Sequence, residues 1–166
     1  MAGKPGARLT DNVVHPLPPV LGPGPGSTNV FMGKLPAWRG VPAAIAGALQ
    51  AAKQVSDTAI QVAEAATVAA AGTPGAPAAK AAEEATKAAC AAQMGSMITA
   101  MAGGADIHAC STPLPIPPHG PGVVIDGSAT VSINGLPACR MGDTVLEAVA
   151  PPNKIVKGEM TVLIGG

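Results

Sequence analysis

Apolar positions in this chain follow two rhythms. In the flanks they form β-branched runs bounded by Gly or Pro: Thr28 to Met32, Val123 to Ile125, Thr130 to Ile133, Ile155 to Lys157 and Thr161 to Ile164. Runs of this length and composition predict short strands. Between residues 41 and 104 the pattern changes to long helix-permissive stretches, in which 25 of 64 residues are Ala. A run from about Pro42 to Ala71 precedes the breaker Gly72-Thr73-Pro74-Gly75, and a second continues from Ala76 to Ala102. This predicts a helical hairpin, with Pro42 in the first turn, Gly103-Gly104 at the end, and Glu83 and Lys87 at i,i+4 spacing. Ile45, Leu49, Val55, Val62, Met94, Met97, Ile98 and Met101 form loose apolar stripes between the alanines.

The strand-like runs also repeat. Aligning Gly26, Gly127 and Gly158 places Val30, Val131 and Val162 four residues later, and Gly33, Asn134 and Gly165 seven residues later. Arg39 and Arg140 close the tetrapeptides Pro36-Ala37-Trp38-Arg39 and Pro137-Ala138-Cys139-Arg140. An R-x-x-D element occurs at Arg8 to Asp11 and at Arg140 to Asp143, and it reappears when residues 41 to 104 are removed so that Arg39 approaches Asp106. With that excision, Arg8 to Arg39, Asp11 to Asp106 and Gly127 to Gly158 share one 31-residue spacing. The reading is a mainly β chain of three related units with pseudo-threefold symmetry. Residues 1–40 and 105–166 make one discontinuous β domain, and residues 41–104 are an α-helical hairpin inserted into it.

Composition narrows the function. The 166 residues include 21 Gly, 18 Pro and 34 Ala but one Trp, one Phe and no Tyr, which argues against a conventional aromatic-anchored globular core. Net charge is zero, with no basic run and few aromatics, which argues against nucleic-acid binding. Three cysteines, at 90, 110 and 139, suit free thiols or metal ligands in a reducing compartment better than a disulfide framework. The first residues hold no apolar signal segment, so export would need another machine. Gly22 to Gly26 places Pro where a phosphate cradle needs backbone N–H donors, and no nucleotide site is expected.

Candidate chemistry gathers in the β part. The fourth residue after each repeat Asp is His15, Cys110 or Glu147, and equivalent positions of a threefold object cluster at its axis. His108 and Cys110, two residues apart, share a face of an extended segment, and His119 follows a Pro-rich bend that folds it back. His15, His108, Cys110 and His119 thus form a candidate tetrahedral site, for which zinc is better suited than calcium or magnesium. Cys139 is an alternative sulfur ligand, but it takes the place of Trp38 and is expected to pack. Glu147 is either a ligand or the solvated occupant of its equivalent place, and the second reading is preferred. Cys90 is expected to be a buried free thiol. Asp11, Asp106 and Asp143 are expected to accept local backbone N–H bonds, and no catalytic residue is expected.

The glycine-bounded repeats joined by Pro-Ala-x-Arg, the stretch from His119 to Gly135 (H-G-P-G-V-V-I-x-G-S-x-T-V-x-I-N-G) and the final Thr161-Val-Leu-Ile-Gly-Gly resemble PAAR-repeat proteins over residues 5 to 40 and 105 to 166. The resemblance departs from the name-giving motif at Trp38 and Cys139, and at the Ala-rich insertion. It implies a conical, non-enzymatic tip that caps a VgrG-like spike trimer of a type VI secretion system, one cap per trimer. It further implies zinc held by His and Cys near the apex, effector delivery, transient membrane contact on puncture, and passage from the bacterial cytoplasm into or towards a target cell without a signal peptide. The hairpin would offer a docking face for an effector or chaperone. Two rivals are a zinc hydrolase with Glu147 as general base, and a membrane-active hairpin, for which the charge-free run Ala88 to Ala105 is only a marginal span.

Overall fold

Gly and Pro keep every strand of this chain short except one, and the fold is made by joining many short pairs. The computed structural model describes residues 3–14, 20–110, 120–149 and 151–166. The elements in order are β1 (Lys4–Gly6), β2 (Phe31–Met32), β3 (Leu35–Pro36), α1 (Ala43–Ala70), α2 (Ala76–Met101), β4 (His108–Ala109), β5 (Pro121–Val124), β6 (Ser132–Ile133), β7 (Leu136–Pro137), β8 (Thr144–Glu147), β9 (Asn153–Lys154) and β10 (Glu159–Ile164). An antiparallel sheet runs β4-β5-β8-β9, and three antiparallel pairs, β1-β10, β2-β3 and β6-β7, complete the β part. Of the predicted runs, two keep only their last two residues (β2, β6), two begin earlier than expected (β5, β10), and Ile155 to Lys157 gives no strand: β9 lies just before it and Ile155 makes an isolated bridge to Val13. Strands β1, β3, β4, β7 and β8 were not expected from the pattern.

Hairpins β2-β3 and β6-β7 have the same construction. Each closes through a two-residue turn with positive φ at both positions, Gly33-Lys34 at 54° and 71° and Asn134-Gly135 at 53° and 78°. Two left-handed residues in succession fit the right-handed twist of a hairpin, which is why Gly and Asn occupy these places. The pairs Met32↔Leu35 and Ile133↔Leu136 flank the two turns equivalently. Before each hairpin a serine organises the turn: Val30 N–H donates to Ser27 Oγ at 3.0 Å, and Val131 N–H to Ser128 Oγ at 3.0 Å.

The three segments carrying Ala7, Trp38 and Cys139 bond to each other in a closed cycle. Ala7 N–H donates to the Cys139 carbonyl (2.9 Å), Cys139 N–H to the Trp38 carbonyl (3.0 Å), and Trp38 N–H to the Ala7 carbonyl (2.9 Å). The following residue is Arg each time, and its own N–H donates at 2.8 Å to a buried aspartate: Arg8 to Asp11, Arg39 to Asp106, Arg140 to Asp143. Each guanidinium returns to the same carboxylate, at 3.1, 2.8 and 3.2 Å respectively. Asp11 and Asp143 have the expected local role, whereas Asp106 takes the equivalent bond from Arg39, which precedes the helices. Further links join neighbouring units: Ser27 Oγ donates to Asn134 Oδ1 at 2.7 Å, Ser128 Oγ to the Gly165 carbonyl, and Glu159 lies beside Gly33 and ion-pairs with Arg8.

Ala7, Val13, Leu21, Trp38, Val124, Cys139, Val145 and Ile155 pack inside this cycle, and Met32, Ala37, Ile133, Ala138 and Ile164 form a second cluster. The helices contribute a third, in which Leu49, Met94 and Ile98 lie on Val123, Leu146 and Ala148. Their boundaries match expectation, with Pro42 in the N-cap position and Gly103 and Gly104 at positive φ. Their facing matches in part: Leu49, Met94 and Ile98 are buried with Ile45, Met97 and Met101 packed against them, but two residues of the stripe turn outward. Val55 and Val62 are 73% and 66% exposed, whereas Lys53, Ser56 and Glu83 are buried. Polar contacts line the hairpin: Lys87 of α2 reaches across to Glu64 of α1 (2.6 Å) and holds Glu83 of its own helix (2.7 Å), Lys80 adds a contact to Glu83 at 2.9 Å, and within α1 Lys53 pairs with Asp57. Among the described residues, no helix is long and apolar enough to cross a membrane.

Candidate metal centre

The sheet β4-β5-β8 places one row of residues side by side. His108 pairs with Gly122, and Gly122 pairs with Glu147. Paired residues in adjacent strands share a face, so the imidazole and the carboxylate stand on one side of the sheet with only a glycine between them. Both side chains are fully buried, and His108 Nε2 lies 3.5 Å from Glu147 Oε1. Gly122 makes room for this approach: a Cβ there would stand 3.0 Å from Glu147 Cγ, 3.0 Å from the Leu146 carbonyl and 3.1 Å from Val145 Cγ1. On its other edge β4 is held by residues 22 to 24, through a bridge of Pro23 to His108 and a 2.7 Å bond from Ala109 N–H to the Gly22 carbonyl.

Neither ring nitrogen of His108 has a hydrogen-bond partner among the described residues. A polar group left so costs about 1–3 kcal/mol in a protein interior, so a fully buried imidazole in this position calls for a ligand. Cys110 follows two residues later and is buried, with Ala109 exposed between them. The predicted sharing of one face by His108 and Cys110 is therefore present. Ala109 pairs with Pro121, which brings the described chain on either side of residues 111–119 to one place on the sheet. A buried unpartnered imidazole and a thiol on the same face form a donor set that fits zinc.

His15 and His119, the other two predicted ligands, lie outside the described residues. Among those described, no three His, Cys, Asp or Glu side chains gather as a metal shell. Cys139 occupies the core next to Trp38, as its place in the repeat predicts, and burial, reinforced by Asp143 and Asp106, pushes its thiol well above the ordinary range. A protonated thiol enclosed by Ala7 and Trp38 is a packing residue. Glu147 corrects the preferred reading. It is not solvated, because β8 is an inner strand of the sheet and the row over Gly122 turns the side chain into the interior. Cys90 is half-buried between the helices, its Sγ 3.9 Å from the Ser56 carbonyl. Asp143 is raised by burial, against the lowering effect of Arg140.

Residues 115–166 match the family model of the PAAR motif. The chain carries a PAAR motif. No curated protein and no solved structure matches the chain. The matched PAAR segment spans β5 to β10 and includes Gly122, Cys139 and Glu147, whereas His108 and Cys110 precede it. Two helices, α1 and α2, stand between β3 and the segment that matches the motif. Gly122 and the buried role of Glu147 escaped the sequence reading. The available signal was the register: Glu147 falls four residues after Asp143, as Cys110 does after Asp106.

Proposed function

We propose that this PAAR-motif protein is a non-enzymatic spike tip of a type VI secretion system, seated as one cap on a VgrG-like trimer. The match over residues 115–166 carries the reading. The closed cycle of Ala7, Trp38 and Cys139, with three equivalent Arg–Asp clasps around it, supports a conical body with pseudo-threefold symmetry, which presents three similar faces to a threefold partner. Phe31, Met160 and Leu163 are large apolar side chains left exposed on β2 and β10, and they suit the base that meets the spike.

In this reading a zinc ion joins His15, His108, Cys110 and His119 and stiffens a tip whose Gly- and Pro-rich units bury little apolar surface. The protein is made in the bacterial cytoplasm, leaves with the injection machine and meets a membrane only on puncture. The helical hairpin, with its exposed valines, serves an effector or chaperone. The test is to mix the purified protein with candidate spike trimers and measure the mass of the product. One cap per trimer is expected. Absence of a complex with every trimer encoded beside it would overturn the assignment.

A further inference from the structure

A buried carboxylate 3.5 Å from a buried imidazole, facing it over a glycine, is an arrangement with a chemical purpose. We propose that Glu147 is the positioning partner of His108: it accepts the ring proton at Nε2 and so leaves the Nδ1 lone pair for the metal. The inference rests on the zinc reading given above and deepens it.

The argument runs from the strands upward. Adjacent strands lie about 4.8 Å apart, so two residues in the same row on either side of a third strand are separated by roughly twice that distance at their backbones. A His and a Glu can close that gap only if the middle residue has no side chain on their face. Gly122 meets that requirement, since its Cβ would press on Glu147 Cγ. Glu147 is the longest acidic side chain available and projects from β8 towards the one imidazole in the described sheet. Burial of a carboxylate away from water is unfavourable unless donors surround it, and an imidazole N–H is one such donor. A histidine that binds a metal through one nitrogen commonly donates its other N–H to a carboxylate, which fixes tautomer and ring plane and makes the ligand more basic. The present separation is longer than a hydrogen bond, and fixing His108 on a metal is expected to shorten it.

The test uses the full chain. Zinc affinity is measured by competition with a chromophoric chelator, the cobalt form is followed by its visible spectrum, and the His108 tautomer is read by nitrogen NMR of the zinc-loaded protein. Glu147→Leu keeps bulk and removes the acceptor. It should weaken zinc binding about 10- to 100-fold while leaving the cobalt bands of the same ligand set. Glu147→Gln keeps an acceptor oxygen and should lose less. The wild-type spectrum should show the proton on Nε2 and the metal on Nδ1, a readout that holds even if the leucine variant does not fold. Unchanged affinity in Glu147→Leu, cobalt bands reporting a lost ligand, or a metal on Nε2 would each overturn the proposal. A wild-type protein that binds no zinc would remove this inference and the zinc reading together. Failure to bind any spike trimer, with zinc bound and the tautomer as stated, would remove only the functional assignment.

Discussion

Trp38 is the largest fully buried side chain, and its backbone is one of the three links of the central cycle. Its ring fills the space between Ala7, Leu21 and Cys139, where no second aromatic residue is available to compensate. Trp38→Ala should therefore destabilise the protein by about 3–5 kcal/mol, read as a shift of the denaturant midpoint. Much at this scale was legible. The three Asp positions, the packing of Cys139 and the common face of His108 and Cys110 all followed from register and alternation. Glu147 did not, because the register gives the place of a residue along its strand but says nothing about whether the neighbouring strand carries a side chain there. That information sat in Gly122, on a strand whose pairing partners are distant in sequence.

The hairpin shows the same limit for an element. Its ends were readable because Pro and Gly act locally on the backbone. Its facing was readable only in part: Leu49, Met94 and Ile98 turn inward as their stripe suggested, whereas alanine on every side leaves the stripe too weak to hold Val55 and Val62 inward. Glu83, held by Lys87 and then Lys80, has its carboxyl lowered to about 2 from 4.5. A depressed acid contributes stability that is present above its unfolded value and lost as pH falls towards the folded one. The helical signal of the protein should thus decline between about pH 4.5 and 2, and Glu83→Gln should flatten that dependence. The sequence also argues that residues 41–104 are separable. Arg39 and Asp106 bond through both backbone and side chain, so the two ends of the insertion already lie together. A variant joining Gly40 to Ala105 should fold but with reduced stability, because uncovering Val123 and Leu146 costs about 1.5–3 kcal/mol each, and on the zinc reading proposed above it should bind zinc as the full chain does. Aggregation with loss of metal would make the hairpin part of the core.

At the scale of the whole molecule, the 31-residue spacing led to an expectation of three related units, and three Arg–Asp clasps stand at the positions it aligns. Each aspartate is 1% exposed. Removing its guanidinium leaves a buried charge without its counterpart, a loss of about 3–5 kcal/mol. Arg8→Ala, Arg39→Ala and Arg140→Ala should therefore lower the unfolding midpoint by similar amounts. A large effect at one clasp and none at the others would mean that the units are alike in sequence only. The joints between units were harder to foresee. Two use serine, while the third uses Glu159 with Arg8, so the chemistry differs although the positions correspond.

The pairing of β1 with β10 sets a timetable for the newborn chain. Lys4 meets Ile164, so β1 has its partner only after the intervening residues 5–163 have been synthesised. At about 5–20 residues per second, roughly 8–32 s separate the synthesis of Lys4 from that of Ile164, far longer than a helix needs to form. During this interval α1 and α2 can already be paired while Trp38, produced early, still lacks Cys139. Closing so long a loop is the slow event expected of this topology. Since Trp38 is the only tryptophan in the sequence, its fluorescence is a native clock for the arrival of Cys139 beside it, requiring no added label.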